Sequence, residues 1–177
     1  MIDKKIVIID YDIGNILSIK NAISYHGYNS IVTRDQEEII SASHVILPGV
    51  GAFPAAMNKL KELNLIECLQ SIKNSKTYIL GICLGMQLLF TNSEEFELTK
   101  GLNLINGNII KLDKFCDNFS YKLPNIGWKN CEVNSFNNKI DVLEKISSTD
   151  EFYFVHSYAL KNFKKDLNVL FSKYNNV

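Results

Sequence analysis

The chain has 177 residues, 46% of them hydrophobic and 21% charged, which is enough apolar material for a buried core and excludes a disordered or fibrous protein. Its 19 basic and 19 acidic side chains cancel and form no basic face, so nucleic acid is not an expected partner. No apolar run reaches the length of a membrane span, and four scattered cysteines without a C-x-x-C pair fit reduced thiols in a cytoplasmic protein, not a disulfide framework or a metal site.

In chain order, KIVIID (5–10) is a β-branched run that predicts a first, fully buried parallel strand, not a signal peptide. GNILSIKNAISYHG (14–27) predicts a helix, with Ile16, Ile19 and Ile23 on one face and Gly27 as its stop. NSIVTR (29–34) is a second strand and DQEEIISAS (35–43) a short, acid-started helix. HVILPGVGAF (44–53) is a third strand that runs into a glycine-rich turn. Residues 54–75 are helical, in two pieces broken near Asn64, after which YILGI (78–82) is a fourth strand and LGMQLLFTNS (84–93) the helix it feeds. Strand and helix thus alternate, which implies parallel pairing through right-handed crossovers. Past residue 100 the pieces 101–112, 125–134, 151–160 and 167–174 are strand-like, with polar turns between them. The expectation is one three-layer α/β domain over 1–177, with a mainly parallel central sheet and an antiparallel, β-rich second half.

The chemistry concentrates in GICLGMQ (81–87), where Cys83 stands between Gly81 and Gly85 as a strand turns into a helix. A nucleophile on so sharp a turn needs small neighbours, and there it faces the amino end of a helix, whose N–H groups favour a thiolate. A free Cys is ordinarily a small buried hydrophobe, and Cys68, Cys116 and Cys131 are read that way because no motif flanks them. The paired glycines reverse that reading for Cys83. In LPGVGAF (47–53), Gly49 and Gly51 flank Val50 at another strand end, where a backbone N–H can turn inward as an oxyanion donor beside that of Leu84. If the two strands are parallel neighbours, both turns open into one crevice.

Together these residues resemble the class I glutamine amidotransferases. DIGNILSIKNAI (12–23), KLPNIGWKN (122–130) and FYFVHSYAL (152–160) extend the likeness to about residue 160. Within the class the pattern is similar to the glutaminase subunits of imidazole glycerol phosphate synthases. The resemblance implies a flavodoxin-like fold and no cofactor. Cys83 would be the nucleophile on glutamine, with Gly49, Val50, Gly51 and Leu84 forming the oxyanion hole and Gln87, His156, Ser157 and Tyr158 binding substrate. It also implies a heterodimer in which ammonia passes to a (β/α)8-barrel cyclase subunit of histidine biosynthesis. Asn15, Pro124, Ile126, Trp128 and Tyr153 would face that partner. Taken alone, Gln87 reads as a solvated helix residue, Trp128 as a core or edge aromatic and His156 as a hydrogen-bonded core histidine.

Two departures stand out. Asn125 occupies a position where the family commonly has a His, which bears on partner contact more than on hydrolysis. The family's F-H-P-E segment, which carries the base and the Glu that orients it, has no counterpart near His26, His44 or His156. Those residues are expected beyond Val177, and residues 1–177 alone are expected to be inactive. The alternatives are the same chemistry serving amidation of a nucleotide-linked sugar acid in surface-polysaccharide synthesis, a non-catalytic amidotransferase-like binding subunit, and a stand-alone cysteine enzyme, which PNIGW and FVHSY disfavour.

Overall fold

A computed structural model describes residues 4–117, 120–133, 146–147, 149–164, 167 and 169–174. They fall into two compact units, Met1–Ile109 and Ile110–Val177. The first unit opens with β1 (Ile6–Ile9), α1 (Ile16–Tyr25), β2 (Ser30–Thr33), α2 (Gln36–Ile40) and β3 (His44–Leu47). It continues through α3 (Phe53–Glu62), α4 (Leu65–Ser71), β4 (Tyr78–Gly81) and α5 (Leu84–Leu88). The sheet has the order β2-β1-β3-β4 and every pairing in it is parallel. This is the doubly wound arrangement in which ligands bind outside the carboxyl ends of the strands.

The local choices behind these elements are physical. Val7, Ile8 and Ile9 are fully buried, as a parallel strand covered on both faces requires. The Asp35 side chain accepts the N–H groups of Glu37 (2.9 Å) and Glu38 (3.0 Å) and starts α2. Asn64 takes a left-handed backbone (φ 55°) and breaks the long helical run into α3 and α4, at the expected place. Leu47, Phe53, Leu60, Leu65, Leu69 and Leu88 then fill a core with Val7, Ile9 and Tyr11.

Ile16, Ile19 and Ile23 share the partly buried face of α1, as expected, and α1 has no fully buried residue. Among the described residues strand β4 lies at an edge of its sheet, with Tyr78 and Leu80 exposed. One expectation is adjusted. Helix α5 ends at Leu88, because Thr91 leaves the helical path to donate its N–H to the Gly107 carbonyl (3.0 Å). Residues expected to prolong that helix instead form β5 (Asn92–Ser93), which pairs antiparallel with β6 (Thr99–Lys100) and parallel with β7 (Asn108–Lys111).

The chain enters the second unit within β7. There β8 (Asn125–Asn130), β9 (Glu132–Val133), β10 (Glu151–His156), β11 (Tyr158–Lys161) and β12 (Leu170–Phe171) form the β-rich half. Strands β8 and β10 run antiparallel, as do β9 and β12.

Candidate active site

Three turns meet at the carboxyl edge of the first sheet, after the adjacent strands β1, β3 and β4. The turn after β4 holds Cys83, exposed, with φ 55° and ψ −118°. Positive φ is strained for a residue with a side chain, and such strain belongs to a thiol presented outward at a strand-to-helix elbow. The elbow is tied at both ends. Ile82 donates its N–H to the Leu47 carbonyl (3.0 Å), and the Cys83 carbonyl receives the N–H groups of Met86 (3.0 Å) and Gln87 (3.3 Å). Leu84, buried, opens α5, where a helix start leaves its first N–H groups without intrahelical partners.

The glycines explain how closely the pieces approach. A Cβ on Gly85 would lie 1.9 Å from the Leu47 carbonyl oxygen, and one on Gly81 would lie 2.4 Å from Met86 Cα. A Cβ on Gly49 would lie 2.5 Å from the Gly85 nitrogen. The turn after β3 is therefore pressed against the start of α5, and β3 and β4 are paired neighbours as expected. Val50 is exposed, and Gly51 beside it takes φ +90° with open space on its side-chain side. The structure thus brings Gly49, Val50, Gly51, Cys83, Leu84 and Gln87 together in one unit.

The turn after β1 contributes Tyr11, fully buried, whose hydroxyl donates to the Pro48 carbonyl at 2.6 Å. Burial first, and the nearby Cys83 second, push the phenol pKa far up and keep the hydroxyl a donor. Asp12 follows with φ 64° and joins Arg34 (2.7 Å) to Lys59 of α3 (3.2 Å). Its hydrogen bonds to Arg34, then Lys59, hold its carboxyl below the ordinary range. Asn15 caps α1 by accepting the Ser18 N–H (3.2 Å), with its residue exposed.

In the second unit, His156 ends β10, and Ser157 joins it to Tyr158, which begins β11. His156 Nδ1 faces the Tyr158 carbonyl at 3.0 Å, an acceptor only, so Nδ1 carries the proton. Nε2 must then accept, and it lies 3.0 Å from the Asn125 amide nitrogen. Burial, as the leading cause, lowers the imidazole pKa and favours the neutral ring. Both ring nitrogens are thus engaged in structure. Pro124 is exposed, as are Ile126 and Trp128 on β8 and Tyr153 on β10. Tyr153 stands opposite Trp128, with ring centroids 5.5 Å apart. Val155, opposite Ile126, belongs to the same exposed face and was not singled out in the sequence.

Tyr11 and Glu95 also escaped the sequence reading. Glu95 Oε2 accepts the Phe53 N–H at 2.8 Å and caps α3, whose N-cap residue Ala52 supplies no side-chain bond. A tyrosine next to a buried strand was the one available signal, since a buried phenol needs a hydrogen-bond partner.

This edge, with a strained thiol beside a glycine turn on a parallel sheet, defines a class. The chain matches the family model for glutamine amidotransferase class-I over residues 7–177, and it belongs to that family. It is 46% identical over 155 residues to the imidazole glycerol phosphate synthase subunit HisH of Lactococcus lactis subsp. lactis (strain IL1403), covering 88% of this chain and 73% of that protein. The protein of the same name from Bacillus thuringiensis (strain Al Hakam) is 46% identical over 153 residues, covering 86% and 69%. Among solved structures, a glutamine amidotransferase aligns with a TM-score of 0.67 at 14% identity, over 90% of this chain and 75% of that one. A putative GMP synthase component from Thermoplasma acidophilum aligns with 0.58 at 16% identity, over 92% and 69%. At those identities the likeness to the solved structures is one of fold.

Proposed function

We propose that this chain is the glutaminase subunit of an imidazole glycerol phosphate synthase in histidine biosynthesis. The observation that carries the reading is Cys83, exposed in a left-handed backbone and packed beside the Gly49–Val50–Gly51 turn, in a chain 46% identical to proteins of that name. The Cys83 sulfur attacks the side-chain carbonyl carbon of glutamine, and the C–O π pair moves onto oxygen. Backbone N–H groups of Leu84 and of the glycine turn receive that oxyanion. Collapse expels the amide nitrogen as ammonia once it is protonated, leaving a glutamyl thioester that water hydrolyses to glutamate. Gln87, His156, Ser157 and Tyr158 hold the substrate. The hydrogen bonds to both His156 nitrogens suit a fixed, neutral binding residue rather than a proton carrier.

Ammonia passes to a (β/α)8-barrel cyclase, which inserts it while closing the imidazole ring. Pro124, Ile126, Trp128 and Tyr153, with Asn15, contact that subunit. An exposed aromatic pair with an aliphatic neighbour is the composition of an interface core rather than of a solvated surface. The pair acts as a heterodimer in the cytoplasm.

The test is glutamate release by the complete protein with its cyclase subunit, coupled to imidazole glycerol phosphate formation from the ribulosyl carboxamide nucleotide. Stoichiometric glutamate and product support the reading. Glutamate without product, or product from free ammonia alone, overturns it.

A further inference from the structure

Tyr11 is a buried titratable side chain at the carboxyl edge that the reaction above does not use. Its ring belongs to the core, while its hydroxyl leaves the core to reach the Pro48 carbonyl at 2.6 Å. Pro48 C=O and Gly49 N–H are one planar peptide, so holding the oxygen sets the direction of that N–H. Against the same peptide, the absent Gly49 side chain leaves room for the Gly85 nitrogen and for Leu84, and a Cβ on Gly85 would lie 2.8 Å from the Pro48 oxygen. The phenol and the start of the elbow helix thus both pack against this peptide. At the far end of the turn, Glu95 fixes Phe53 through its N–H. Between these two anchors lie Val50, exposed, and Gly51, with φ +90° and free space around it. The freedom of the turn is therefore confined to the peptides after Gly49.

We infer that Tyr11 is a positioning residue for glutamine hydrolysis, holding the Pro48–Gly49 peptide at the height from which the glycine turn meets the oxyanion. The inference rests on the glutaminase reading of Cys83. Tyr11 touches neither substrate nor the reacting atoms. Its effect reaches the reaction through the turn, so it appears in the step that develops the oxyanion and not in glutamine binding.

Tyr11→Phe keeps the buried ring and removes only the hydroxyl. In the complete protein paired with its cyclase subunit, kcat for glutamate release falls about tenfold, while KM stays within about twofold. Alkylation of Cys83 by iodoacetamide, which needs no oxyanion hole, stays at the wild-type rate. Amide hydrogen exchange at Gly49 becomes about tenfold faster, since its peptide has lost an anchor. A kcat within about twofold of wild type overturns the inference, as does a parallel loss of kcat and of iodoacetamide reactivity, which marks general damage to the elbow. If the wild-type pair releases no glutamate, the glutaminase reading itself fails. Gly49 exchange then decides the structural half alone: faster exchange in the variant upholds the anchor, and unchanged exchange overturns it.

Discussion

Cys83 differs from the other cysteines in exposure and in setting. Cys68 and Cys131 are buried, and burial raises both of their pKa values, while Cys116 is partly covered. A glutamine-analogue electrophile given to the partnered, complete protein therefore labels Cys83 alone, and Cys83→Ala abolishes both labelling and turnover. Peptide mapping that finds the label on Cys68, Cys116 or Cys131 would refute that assignment. His156 yields a prediction of a different kind. Its folded pKa lies below the ordinary value of 6.5, so the unfolded chain takes up the proton first as the pH falls. The neutral ring then contributes stability that is complete above 6.5 and is lost as pH drops from there towards the lower folded value. Melting temperature should fall between about pH 7.5 and 5.5, and His156→Gln should flatten that slope. An identical slope in the variant would mean that the imidazole does not titrate differently in the two states.

At the scale of elements, the contact between β3, β4 and α5 depends on glycines more than on any side chain. Gly85→Ala would drive a methyl to 1.9 Å from the Leu47 carbonyl, which is backbone and has no flexible end to move aside. The cost is expected to exceed about 3 kcal/mol, seen as loss of soluble protein or a large fall in melting temperature. A variant as stable as wild type would show that α5 can slide away from the strand ends. Gly51→Pro acts differently, because proline cannot adopt φ +90°. Turnover should suffer more than glutamine binding, and equal losses in kcat and KM would argue against an oxyanion role for the turn. The four parallel strands and this glycine contact were legible in the sequence, because β-branched runs and paired glycines are short-range signals. The end of α5 was not, since a Thr91–Gly107 bond across the following loop decides it. Nor were the bonds from Tyr11 to Pro48 and from Glu95 to Phe53, which join residues 37 and 42 positions apart. Only the fold brings such pairs together.

The whole chain poses the question of where the proton goes. A thiol nucleophile needs a group that takes its proton and later protonates the leaving nitrogen, and the sequence holds three histidines. His44 begins β3 in register with Tyr78, whereas Leu47 at the other end is in register with Gly81, two residues before the thiol. At about 3.3 Å per residue, His44 sits some 10 Å down the sheet from the elbow, at the amino edge. His26 ends α1, which starts at the carboxyl edge after β1 and returns the chain to the amino edge for β2. His156 has one nitrogen on the Tyr158 carbonyl and the other on Asn125. None of the three is placed or free to act as the base, so residues 1–177 on their own are expected not to hydrolyse glutamine, even beside the cyclase subunit. Loss of a base from a catalytic triad costs on the order of 10⁴ to 10⁶ in rate, and the helix start behind Cys83 can favour a thiolate without delivering a proton to ammonia. The measurement is glutamate release by purified 1–177 with cyclase and acceptor analogue, set against the Lactococcus lactis HisH protein with its own cyclase under the same conditions. Equal rates would locate a base within these residues. His156 would then be the first to replace, and its bonds to Asn125 and Tyr158 would have to open during turnover.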